Sequence, residues 1–277
     1  MSIAFVNNFK TVLLLGALMG LVVGVGITLG GVNAILPALV IAIIMNVGAF
    51  FLSDKLAIAA MRGQEVTGGK LYDMVDELRQ RAGLPMPRVY VCPQQAPNAF
   101  ATGRSPRKAA VAVTEGALQL LTREELEGVM AHELAHVKNR DTLMSTIAAT
   151  VGGLMGMLAY GLFLFGGSNR EGANPLVAIV AVMAGAVGAA VIKAMLSRSR
   201  EFVADADGAK IAGSPDGLIS ALRKLEMYAK RIPMQNPNPA QNNLFIIEPL
   251  TGGKTLSDMF ATHPPTDKRV EALMTLR

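Results

Sequence analysis

From Thr11 to Ser53 the chain carries no Asp, Glu, Lys or Arg. A helix crossing the hydrocarbon core of a bilayer needs about 20 apolar residues, so this run is long enough for two. The break between them is readable at "LGGVNAILP", where Gly30, Gly31, Asn33 and Pro37 supply turn chemistry. Two more uncharged runs, Thr142 to Asn169 and Gly172 to Ile192, flank the polar "GGSNREGANP" with its Arg170, Glu171 and Pro175. Four membrane spans are therefore expected, at roughly 12–30, 35–52, 142–165 and 175–196. Apolar runs of this kind also occur in large soluble cores, but the rest of a 277-residue chain is too small to bury four of them. A content of 51% hydrophobic and only 17% charged residues fits the same conclusion. The first run is too long for a cleavable signal peptide and flows into the second span without a small-residue cleavage site.

Basic residues orient these spans. Lys10 precedes the first, Lys55 and Arg62 follow the second, Lys138 and Arg140 precede the third, and Arg198 and Arg200 follow the fourth. The connections on the other side carry only Arg170. The positive-inside bias predicts that both termini and the segment from Ser53 to Asp141 are cytoplasmic. It also accounts for the net charge of +5. Trp is absent, only four Tyr occur, and no basic stripe is interleaved with aromatics, so no nucleic-acid partner is expected. The single cysteine, Cys92, cannot form an intramolecular disulfide and reads as a small apolar residue in a strand.

Between the spans, "GGKLYDMVDELRQRAG" places Leu71, Met74, Val75 and Leu78 at helical spacing and ends at Gly83. "PRVYVC", "NAFATG" and "KAAVAVT" read as three strands. In "LTREELEGVMAHELAHVKNR", Thr122 and Glu125 have capping-box spacing, and no breaker is visible before the third span. "RIPMQNPNPAQNN" reads as a loop.

His132 and His136 stand at i and i+4 on that helix, so both imidazoles can reach one Zn²⁺ while Glu133 reaches its water as general base. Two of the chain's three histidines are in this motif. A catalytic zinc commonly takes three protein ligands and keeps one position open. If the helix is continuous, His136 lies about 9 Å below the third span. Glu201, on a helix continuing the fourth span, lies about 8 Å below it and is the third-ligand candidate. "SRSREFVADADGA" continues that helix with no breaker until Gly208. Asp205, four residues on, shares the face of Glu201 and could orient a ligand histidine or pair with a nearby base. Ion pairing of both acids with Arg198, Arg200 or Lys210 is the alternative. The third histidine, His263 in "THPPTDKRVEAL", is held by two prolines before a final helix and could donate to an oxyanion. Arg269 would be a second positive group there or the partner of an acid.

"HELAHVKNRD", "SRSREFVADADGA", "PNAFATG" and "THPPTDKRVEAL", interleaved with four spans, resemble the HtpX family of bacterial heat-shock membrane proteases. The chain is more distantly similar to the membrane metalloproteases that process prenylated proteins. The resemblance covers nearly the whole chain. It implies a mainly α integral membrane protein, with four transmembrane helices and a cytoplasmic zincin-like α+β metalloprotease domain built on a small sheet. The implied segments are a transmembrane hairpin over 1–53, a first protease part with the HELAH helix over 54–141, a second hairpin over 142–196, and a second protease part over 197–277.

One Zn²⁺ per chain would be held by His132, His136 and Glu201, with Glu133 as general base and Asp205 and Arg269 behind the ligands. His263 and Asn98 would stabilise the transition state, and Asn98, Ala99, Phe100 and Ala101 would form an edge strand that pairs with extended substrate. The implied role is hydrolysis of misfolded or damaged membrane proteins at the cytoplasmic face of the bacterial inner membrane. Oligomeric state is not encoded.

Two other classes are weighed. A non-catalytic protein with a structural zinc clip would need a fourth ligand, for which only Cys92 and Asp205 are spare. A transporter would place ionisable groups inside the spans, where only Lys193 occurs, near a helix end from which it can snorkel.

Overall fold

The computed structural model describes residues 31–143, 198–229 and 264–277, with scattered positions before residue 31. The expected third and fourth spans, the 231–243 loop and His263 lie outside the described residues.

The expected second span falls on α1 (Ile35–Ala60), whose window Ile35–Leu52 is, by length and composition, apolar enough to cross a membrane. Its apolar side chains, among them Leu36, Ile41, Ile44 and Phe51, are exposed instead of packed into protein, as a lipid-facing helix requires. At the first span the described residues include only a shorter apolar helix, Leu15–Gly24. The expected turn before α1 is narrower than its composition suggested. Gly31 takes a positive φ of 63° before a 3-10 turn over Val32–Ala34, but Pro37 lies in the first turn of α1, where the missing N–H costs nothing.

Among the described residues the sheet is mixed and four-stranded. Its strands are β1 (Gln64–Val66), β2 (Arg88–Cys92), β3 (Ala99–Thr102) and β4 (Ala110–Thr114), in the order β1-β2-β4-β3. Only β2 and β4 are parallel. The short β1 was not anticipated, because Gln64, Glu65 and Val66 lack a strand's composition and are extended by pairing with Val91, Tyr90 and Val89. The other three strands fall where the sequence predicts them.

Both faces of the sheet are covered, as the uninterrupted burial of β3 and β4 indicates. Successive side chains alternate between two cores. Val89, Ala99, Ala101, Val111 and Val113 join the helical core, while Tyr90, Cys92, Phe100, Ala110 and Ala112 pack against Ala57 and Ile58 at the end of α1 and Met61 just after it. The apolar helix thus runs beyond its membrane-length window and becomes the floor of the sheet.

The helical core comprises α2 (Lys70–Ala82), α3 (Glu115–Leu120), α4 (Arg123–Asn139), α5 (Arg198–Ala212), α6 (Asp216–Ala229) and α7 (Thr266–Met274). Helix α2 ends at Gly83 as expected, its N–H bonded to the carbonyls of Arg79 and Gln80. The predicted capping box is formed at α4: Thr122 Oγ1 accepts from the Glu125 N–H, and the Glu125 carboxylate accepts from the Thr122 N–H. Helix α4 is central and packs against α2, α5, α6 and β3.

Two expectations about helix continuity are corrected. Helix α4 does not run on into the third apolar run. Arg140 takes the left-handed conformation, φ 59°, and its N–H caps the carbonyls of His136 and Val137. The residues that follow, Asp141 to Leu143, turn helical again. Helix α5 in turn does not stop at Gly208 but continues to Ala212.

Candidate metal centre

His132 and His136 project from the buried side of α4, one turn apart, with ring centroids 4.6 Å apart and planes at 88°. Their Nε2 atoms approach to 3.1 Å. Glu201, one turn into α5, faces both, with Oε2 3.7 Å from His132 Nε2 and Oε1 3.5 Å from His136 Nε2. One ligand atom from each of the three residues lies within 4.8 Å of the other two. Two imidazole nitrogens and a carboxylate form a borderline donor set suited to zinc. Two nitrogens about 2.0–2.1 Å from one tetrahedral ion would stand roughly 3.3 Å apart, close to the observed spacing, so the residues fit a metal.

Each histidine has a carboxylate at its other nitrogen. His132 Nδ1 lies 2.9 Å from Asp205 Oδ1, although its angle falls short of hydrogen-bond geometry. His136 Nδ1 lies 3.1 Å from Asp141 Oδ2. A carboxylate behind each ring favours the tautomer that turns the Nε2 lone pair toward the metal position. Asp141 carried no site assignment in the sequence. The left-handed turn at Arg140 brings it back beneath the helix, where it also meets Arg200 at 3.4 Å. Burial lowers the pKa of His136, but the Asp141 hydrogen bond and the charges of Glu201, Asp141 and Glu133 outweigh it and raise the value to about 9.

Arg269 answers the alternatives left open for it. Its Nε and Nη2 donate to the two oxygens of Asp205 at 2.8 and 2.6 Å, and Nη1 is 3.5 Å from Glu201 Oε2. It is the partner of acids, carried to the site by α7. Burial would raise the Asp205 pKa, but the charge and hydrogen bonds of Arg269 and the contact with His132 hold it below the ordinary aspartate value. Burial likewise works against the Arg269 charge, which Asp205, Glu201 and Glu133 more than restore.

Glu133 is buried beside His132 on α4, 4% exposed. Asn98 is buried where the chain enters β3. Its N–H donates to Thr114 Oγ1 at 2.8 Å, and its side-chain Oδ1 accepts from the Ala99 N–H at 2.9 Å. Ala99, Phe100 and Ala101 lie in β3, which is hydrogen-bonded to β4, is the outer strand of the sheet among the described residues, and packs beside α4.

Gly208, read along the chain only as a helix breaker, has a second role at the site. A Cβ there would come within 2.9 Å of His132 Cα, so glycine is what lets α5 close on α4 at the first histidine and set Glu201 against the pair. Cys92 lies in the opposite core, beneath the sheet, where burial pushes its thiol up to about 12. It packs in that core and not in the helical core to which α4 belongs. Asp205, the other residue spare for a closed four-ligand clip, is committed to Arg269.

The profile of peptidase family M48 matches residues 65–277. A protease HtpX homolog of Syntrophotalea carbinolica is 47% identical over 273 residues, covering 96% of this chain and 98% of its own. Another, of Gemmatimonas aurantiaca, is 47% identical, covering 98% of this chain and 99% of its own. Among solved structures, the crystal structure of S. mikatae Ste24p superposes with a TM-score of 0.54 at 16% identity, covering 98% of this chain and 66% of that longer one. At that identity the likeness speaks to the fold.

Proposed function

The chain belongs to peptidase family M48, and from that premise we propose that His132, His136 and Glu201 hold the catalytic zinc of an endopeptidase acting at the cytoplasmic face of a bacterial inner membrane. It is a membrane-bound metalloprotease. The observation that carries the site assignment is the convergence of three ligand atoms within 4.8 Å, with a carboxylate behind each histidine.

A zinc ion there would act as a Lewis acid on the scissile carbonyl and lower the pKa of water. The protein's own groups supply the rest. Glu133 accepts the proton of the attacking water and returns it to the leaving amine, so one carboxylate serves first as base and then as acid. Asp205 and Asp141 keep the two rings oriented, and Arg269 fixes Asp205. The outer edge of β3, residues Ala99 to Ala101, adds an extended substrate segment as a further strand. Asn98 and His263 steady the oxyanion.

Four membrane spans, with both termini and the site cytoplasmic, deliver α4 and α5 to the site from the membrane side. Misfolded or damaged membrane proteins are the substrate class suited to a site so close to the bilayer, in a quality-control role.

The test is Glu133→Gln in the full chain in detergent, with zinc content and self-cleavage measured side by side. Zinc retained with cleavage abolished is the expected result. Cleavage at the wild-type rate in a zinc-replete sample would falsify the assignment of Glu133.

A further inference from the structure

The loop "GRSPRKA" over 103–109, which joins the outer strand β3 to β4, carries Arg104, Arg107 and Lys108 and no acid. Topology signalling weighs basic residues within about 15–20 positions of a span end. These three are much farther than that from either flanking apolar run, so orientation in the membrane does not explain them.

Tertiary structure brings the loop back to the ends of two apolar runs. Arg104 Nη1 donates to the Phe51 carbonyl at 3.4 Å, and its guanidinium stands 4.9 Å from the centre of the Phe51 ring. Phe51 is at the end of the apolar window Ile35–Leu52. On the loop's other side, Thr142 Oγ1 donates to the Gly103 carbonyl at 2.9 Å, and Thr142 opens the next uncharged run. The loop is therefore tied to the end of one apolar run and the start of another, the level at which a bilayer spanned by these runs would give way to headgroups. Arg104 lies on Phe51 with its charge at that level, in the manner of a snorkelling side chain.

The loop also has a fixed shape. Gly103 has φ 128°, and a Cβ there would overlap the Lys108 carbonyl. Pro106–Lys108 form a 3-10 turn, closed by the Lys108 N–H on the Ser105 carbonyl at 2.9 Å, and Arg107 and Lys108 are exposed on it.

We propose that the 103–109 loop binds the phosphate of anionic phospholipid headgroups through Arg104, Arg107 and Lys108. The proposal rests on the chain's being membrane-embedded. A phosphate diester at the interface matches three cations in chemistry and depth, and the lipid so held would brace the end of β3.

The full chain in detergent is offered equal amounts of phosphatidylglycerol and phosphatidylcholine, and retained lipid is counted by native mass spectrometry. Wild type should prefer phosphatidylglycerol. The double variant Arg107→Gln/Lys108→Gln, which leaves the Arg104–Phe51 contact intact, should weaken that retention about fivefold per cation removed. The control Lys70→Gln/Arg123→Gln, which removes equal charge beside the other end of α4, should not change it. No preference in wild type, or equal loss in the control, overturns the proposal. Displacement of the lipid by an equal concentration of inorganic phosphate assigns the site to soluble phosphates and also overturns it. Alkaline carbonate extraction of membranes tests the premise separately. Release of the chain sinks the membrane reading itself, whereas retention without lipid preference sinks only the headgroup site.

Discussion

Arg269 grips Asp205 through two hydrogen bonds of 2.8 and 2.6 Å, and both residues are only 1% exposed. The pair joins α7 to α5 directly behind His132. A charge pair so deeply buried persists because each partner neutralises the other, and removing one leaves the other desolvated and alone.

Arg269→Met should therefore destabilise the protein by about 3–5 kcal/mol. Arg269→Lys should recover little, because an ammonium cannot reproduce the two-pronged contact. Thermal unfolding in detergent measures both, and a melting temperature unchanged in the Met variant would refute the role.

Asp141→Asn removes the charge behind His136 while keeping the shape of the side chain. Metal affinity should fall about 10- to 100-fold. Competition with a chromophoric chelator gives the value, and wild-type affinity would mean that Asp141 serves only Arg200.

Gly208→Ala puts a methyl group against the backbone of His132. Overpacking of this kind costs about 1–3 kcal/mol, and because Glu201 rides on the same helix, metal affinity should drop along with stability. Gly48→Ala, with nothing within 4 Å of the added carbon, is the matched control and should leave both unchanged.

Glu125 gives the expected pH dependence. Burial would raise its pKa, but hydrogen bonds from Lys224, Ser220 and the Thr122 N–H, with the Lys224 charge, hold it below the ordinary glutamate value. A carboxylate depressed in the folded state contributes stability that is fully present above its unfolded pKa. That stability is lost as pH falls from there through the folded value. Melting temperature should fall across this acid window in wild type and change less steeply in Glu125→Gln. Parallel profiles would show that Glu125 contributes no such linkage.

Much of this was legible along the chain. The uncharged run at 35–52, the helix ended by Gly83, three of the strands and the Thr122/Glu125 capping box are local patterns. Each depends on side-chain periodicity or on hydrogen bonds between residues a few positions apart, so the sequence alone determined them. The i, i+4 histidine pair belongs with them, because helical spacing by itself sets both rings on one face.

The meeting of that pair with Glu201 depended on two helices with many residues between them. A straight α4 led to Glu201 through matched depths, yet α4 ends at a left-handed Arg140. What closes the gap in the folded protein is the absent side chain at Gly208. Asp141 became a partner of His136 only through the turn at Arg140. The extended conformation of β1 and the floor that α1 lays beneath the sheet were likewise fixed only by contact. Periodicity states which face of an element is apolar or reactive, but which faces meet depends on close approaches between distant residues, and only the tertiary structure decided those.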